Sequence, residues 1–84
     1  MKPVRLTKHA REQAADRGAT EAEVVEATRR GSREPAKQGR ELCRFNFPFG
    51  RQWQGNVYAI KQVAPVIKDE ANEIVVITVY TFYF

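Results

Sequence analysis

His9 is the one side chain in this sequence whose unperturbed charge change falls near neutral pH. Metal-independent cleavage of RNA needs a base for the 2′-OH proton, a cation for the phosphorane and an acid for the leaving 5′-oxygen. His9 fits the first role. Arg44 fits the second, because a guanidinium can hold a phosphate through two parallel hydrogen bonds. Thr78 and Tyr80 carry hydroxyls that can orient a phosphate, and the Tyr80 ring can stack a base. Each residue also has a plainer reading. His9 caps or packs a helix start, Arg44 lies on a solvated strand face, and Thr and Tyr are good strand formers.

A second set suits contact with a nucleic-acid backbone. Arg17 lies eight positions after His9, a little over two helical turns, so the two share a broad face. Its plainer role is to meet a helix-end carbonyl or Asp16. Lys61 and Arg51 offer point charge, and Trp53, between Arg51 and Gln54, offers a stacking ring or a lid over a small core. Cys43 sits among aromatics and reads as a buried, inert thiol; a Cys43–His9 dyad is the minor alternative. Glu12 and Asp16 read as a solvated face. One histidine and one cysteine leave no ordinary zinc site, and no motif calls for a cofactor.

These residues must be carried by two different halves. Thr7 is an N-cap and Gly18 a C′ residue, bracketing a helix near 8–17. Thr20 and Glu23 have capping-box spacing, and Gly31 ends a second helix near 21–30. Ala10 and Ala14 are the expected buried pair of the first helix. Val24 and Thr28, flanked by Ala22 and Val25, form the inner face of the second. Cys43, Phe45, Phe47 and Phe49 alternate with Arg44, Asn46 and Pro48, the period of a half-buried strand. Gly50, Gly55 and Asn56 mark a hairpin loop around Trp53. A strand follows over 56–68, interrupted or bulged near Pro65, then a turn at 69–72.

Residues 73–83 form a last strand, with Ile74, Val76, Thr78, Tyr80 and Phe82 on one face. Val75, Ile77, Val79, Thr81 and Tyr83 take the other. With a short first strand at 4–6, the order is β-α-α-β-β-β. The expected fold is one α+β domain over 1–84, a helical hairpin on a small antiparallel sheet.

Thr7-Lys8-His9-Ala10, then Arg17-Gly18, Thr20 and Val24, then Ile74-Val75-Val76-Ile77-Thr78-Val79-Tyr80 resemble a small bacterial family. That family, a domain of unknown function, opens with S/T-x-H-A, continues with R-G-I-[ST]-x-x-x-V and closes with I-V-V-V-T-V-Y. It is similar in layout to the RelE-like and BrnT-like toxins, grouped with barnase, EndoU and the colicin nucleases. The resemblance covers both ends of the chain and is weak over 31–56. Ala14 and Ala19 stand where the family has larger apolar residues, which bears on packing. The resemblance implies a RelE-like fold and, by analogy, a metal-independent endoribonuclease of a toxin–antitoxin type system. The alternative on the same fold is a non-catalytic nucleic-acid-binding or protein-interaction module.

Composition sets the remaining expectations. The chain has 84 residues, 43% of them hydrophobic, but ten are alanine and only two leucine, so its core is thin. No apolar run is long enough to span a membrane, and the N-terminus has no signal-peptide core. A cytoplasmic location is expected. Net charge is +4, and residues 1–51 hold twelve Lys/Arg against seven Asp/Glu. The densest basic stretch, 29–51, suits RNA or ribosome-bound RNA. The uncharged Tyr80-Thr81-Phe82-Tyr83-Phe84 end suits a homodimer or antitoxin-like protein docked on the last strand, unless the fold covers it.

Overall fold

Thr7 and Thr20 start the two helices as their sequence signals predict. In the computed structural model, which describes residues 1–84, Thr7 Oγ1 accepts a hydrogen bond from Ala10 N (3.1 Å) to open α1, Lys8–Asp16. Thr20 and Glu23 form a complete capping box on α2, Glu21–Arg30. Ala10 and Ala14 are buried on α1. On α2 the inner face is Val24, Ala27 and Thr28, with Ala22 left exposed. Ala27, three positions after Val24, takes the place expected of Ala22.

The strands are β1 (Val4–Leu6), β2 (Ser32–Pro35), β3 (Glu41–Trp53), β4 (Asn56–Asp69) and β5 (Ile74–Tyr83). They form a five-stranded sheet in the order β1-β5-β4-β3-β2. The α+β class and the helical hairpin are as the sequence predicts, with two refinements. β1 pairs parallel to β5, so the sheet is mixed rather than wholly antiparallel. β2 is an added edge strand whose four residues are all exposed. Its sequence, Ser-Arg-Glu-Pro, has no apolar alternation to announce it, and its charges and Pro35 suit an edge.

β3 and β4 form a longer hairpin than the glycines suggest. Gly50 closes no loop. It adopts φ +59° where the register shifts between Pro48 and Arg51, a bulge within a continuing strand. The chain turns at Gln54 and Gly55, at φ +49° and +90°, as a two-residue turn requires. Trp53 therefore ends a strand, paired with Asn56. Pro65 is fully buried within an unbroken β4. The irregularity lies one step further on: Val66 pairs with Thr78 but Ile67 pairs with Val76, leaving Ile77 as an extra residue on β5.

That bulge reverses the faces of β5. Ile74 and Val76 point to the core before it, and Val79 does so after it. Thr78, Tyr80 and Phe82 consequently lie on the opposite face from Ile74 and Val76, a departure from strict alternation. The core, under the helices, holds Leu6, Val24, Cys43, Val63, Ile67 and Val79. α1 leans on β5, and α2 on β4 and β3. The other face of the sheet carries no helix. No helix is long and apolar enough to cross a membrane.

Candidate functional site on the open sheet face

Three contacts line the open face beside β5. Thr7, the N-cap, also donates from its backbone N to Val76 O (3.1 Å) and from Oγ1 to Ile77 O (3.3 Å). These bonds fasten the start of α1 to the bulge. His9, one turn in, is exposed, and its Nε2 lies 3.3 Å from Thr78 Oγ1. Which of the two donates depends on the imidazole tautomer.

Arg17 makes the second contact. Its guanidinium lies 5.1 Å from the centroid of the Tyr80 ring, and its Nη1 donates to Val79 O (2.6 Å). The Arg17 backbone is fixed as well, since its carbonyl accepts from Thr81 Oγ1 (2.9 Å) and Tyr83 Oη (2.7 Å). Arg44 makes the third. It lies 5.5 Å from the Phe82 centroid, donating to Glu34 Oε1 (3.1 Å) and Gln62 Oε1 (2.9 Å). Thr78, Tyr80 and Arg44 thus share one side of the sheet, and His9 of α1 and Arg17 at its C-terminal end contact the first two. His9 and Thr78 touch directly, whereas Arg44 is held two strands away by its own carboxylate partner.

Lys61 and Arg51 lie elsewhere, whereas Trp53 lines a second cleft together with Arg17 and Phe82. Lys61 is 3% exposed on the helix side, where Nζ donates to Gly18 O (2.9 Å) and Glu23 Oε1 (2.8 Å). It ties the α1–α2 turn to the sheet and offers no surface to a nucleic acid. Burial pushes the Glu23 carboxyl up, but the Lys61 and Thr20 hydrogen bonds outweigh it and hold the group below its ordinary value. Trp53 stacks on Tyr83, with centroids 5.0 Å apart. Both rings crowd Gly18, where a Cβ would lie 2.5 Å from Tyr83 Oη and 2.8 Å from the indole. Gly18 also has φ +81°, so this turn suits glycine twice over. Arg51 lies over Phe49 at 4.9 Å on the distal hairpin. Cys43 is fully buried, and burial pushes its thiol up. His9 meets Thr78 rather than Cys43.

Charge is redistributed by pairing. Within the basic stretch, Arg30 pairs with Glu26, Arg33 with Glu41 and Asp69, and Arg44 with Glu34. Lys37 and Arg40 make no such pair. They sit on the turn Lys37–Gly39 and its exit, and both line a cleft shared with Thr78 and Tyr80. Arg17 and Lys8, the neighbour of His9, are also without a carboxylate. In the sequence, Lys37 and Arg40 stand out only as members of a charge run. The signal for them was the Gln38-Gly39 turn, where two successive positive φ values (+62° and +71°) fold the segment back.

The aromatic end of β5 is partly used inside the fold. Its outer backbone edge is met by Thr7 at Val76 and Ile77 and by Arg17 at Val79. Tyr80, Phe82 and Phe84 remain 44%, 43% and 57% exposed. The chain shows no significant match to protein-family models, curated proteins or solved structures.

Proposed function

We propose that this chain binds single-stranded RNA across the open sheet face and cleaves it without a metal, as a toxin-type endoribonuclease. The observation that carries this reading is the His9–Thr78 contact beside unpaired cations. His9 accepts the 2′-OH proton while the 2′-oxygen attacks phosphorus. Thr78 Oγ1 fixes the imidazole, and Arg17 faces the charge that develops on the phosphorane. The P–O5′ bond breaks, and the leaving oxygen takes a proton from the Tyr80 hydroxyl. The products are a 2′,3′-cyclic phosphate and a 5′-OH. Arg44, held by Glu34, serves to position the strand rather than to act at the reacting phosphate.

Support comes from residue chemistry. A base, a cation and a hydroxyl donor stand within two rungs of one strand; no carboxylate lines the cleft that holds Thr78 and Tyr80, and Asp16 lines the neighbouring cleft that holds Arg17. The test uses a mixed RNA, free and ribosome-bound, in EDTA, next to the same RNA carrying 2′-deoxy residues. Cleavage confined to the ribose-containing RNA is expected. Equal cleavage of both removes the 2′-oxygen from the chemistry and overturns the mechanism.

A further inference from the structure

The cleft between the Lys37–Gly39 turn and the sheet has features that backbone binding alone does not require. Its volume is about 400 Å³, within the usual range for a small-ligand site. Leu42 and Val66, cross-strand partners on β3 and β4, form an apolar floor. Val66 pairs in turn with Thr78, so the floor runs directly to the residue His9 touches. Tyr80, 44% exposed, forms an aromatic wall. Lys37 and Arg40 line the same cleft from the Lys37–Gly39 turn and its exit. Their turn is closed by Ala36 N donating to Arg40 O (2.8 Å) and Arg40 N donating to Lys37 O (3.2 Å). Backbone hydrogen bonds thus fix the turn that carries these two cations, neither of which has a carboxylate partner.

We infer that this cleft takes one unstacked nucleotide, its base between Tyr80 and the Leu42–Val66 floor and its phosphate at Lys37 and Arg40. An inorganic anion would leave the floor and the ring unused. An uncharged aromatic would leave the two cations unused. A nucleotide combines a flat apolar face for the ring and the floor with an anion for the two cations. Bound there, it sets the next phosphate of the strand toward His9 and Thr78, so the cleft fixes the cleavage register. The inference rests on the RNA reading for that last step, but nucleotide binding is measurable alone.

The test is an amide-resolved NMR titration of the full chain with adenosine 5′-monophosphate, uridine 5′-monophosphate, adenosine and inorganic phosphate. Saturable shifts centred on Lys37, Arg40, Leu42, Val66 and Tyr80 with a monophosphate are expected. Adenosine and inorganic phosphate should each bind more weakly. The Lys37→Ala/Arg40→Ala double variant, altered only at exposed or half-exposed unpaired positions, should weaken monophosphate binding about fivefold or more. Tyr80→Ala should weaken adenosine as well as the monophosphate. Shifts confined to Arg51 and Trp53, or none that saturate, overturn the inference. If RNA is cleaved while the cleft stays unperturbed, the nucleotide site is wrong and the ribonuclease reading stands. If the cleft binds the monophosphate and RNA is not cleaved, the site stands and the catalytic reading fails.

Discussion

His9 Nε2 and Thr78 Oγ1 lie 3.3 Å apart because β5 contains one residue more than its partner strand. Ile77 is that residue. Without it, Thr78 would share the face of Ile74 and Val76 and point beneath the helices. The same bulge supplies the carbonyl that Thr7 binds, and Thr7 starts the helix that carries His9. One irregularity therefore aims the hydroxyl and anchors the ring that meets it, a use of bulges common beside functional sites.

Thr78→Val tests that pairing at nearly constant shape. Thr78 is half-buried, and the substitution removes one hydrogen bond, so stability should change by about 1 kcal/mol or less. RNA cleavage should fall about tenfold, the rate equivalent of one lost orienting hydrogen bond. Thermal unfolding beside single-turnover cleavage separates the two effects. Unchanged cleavage would show that Thr78 does not position His9.

Salt dependence tests the charged rim. Lys8, Arg17, Lys37 and Arg40 have no carboxylate partner, and four phosphate contacts on a single strand predict a log–log slope of about −3 for RNA affinity. Replacing Lys37 and Arg40 by alanine should reduce the slope to about −1.5. Affinity measured between low and moderate salt gives both slopes. A slope near zero would remove backbone contact from the account.

The α1–α2 turn should be intolerant of change. Gly18→Ala forces a side chain into Tyr83 and Trp53 at φ +81° and should cost about 2 kcal/mol or more. Lys61→Met leaves Glu23 beside the turn without its cation and should cost about 2 kcal/mol. Chemical denaturation reads both. Either variant at wild-type stability would contradict the clamp.

Acid should loosen the same clamp. The folded Glu23 carboxyl lies below its unfolded value, so its contribution is complete above about pH 4.3 and is lost as pH falls through the lower, folded value. Asp69, which accepts from Lys2 and Arg33, is lowered in the same sense by those hydrogen bonds. Stability measured from pH 6 to pH 2 should decline in that lower window. In Glu23→Gln the decline should be shallower, with stability already reduced at pH 6. An identical pH profile in both proteins would exclude Glu23 as a contributor.

Much of this architecture is legible in the sequence where local chemistry is strong. Thr7, Thr20 and Gly18 mark the helix ends because capping is a matter of a few adjacent atoms. The long strands announce themselves through Phe45, Phe47 and the β-branched run after Ile74. What escapes is non-local. Ser32–Pro35 becomes a strand only because Glu41 to Arg44 lie beside it. The face reversal at Ile77 depends on how β4 pairs, and no periodicity within β5 records it. Lys61 reads as a surface cation until Glu23 and Gly18 O are brought above it. Arg17 and His9 needed only helical spacing to be grouped, whereas Lys37 and Arg40 needed the turn to fold back over Val66.

The most direct measurement of the central claim is cleavage of one ribose RNA in EDTA by wild type and His9→Ala at equal concentration. Wild type should cleave, leaving 2′,3′-cyclic phosphate and 5′-OH ends. The His9→Ala rate should be lower by about a hundredfold or more, the usual contribution of a general base, with thermal stability retained. Equal rates in the two proteins, or 3′-OH and 5′-phosphate ends, would contradict that claim.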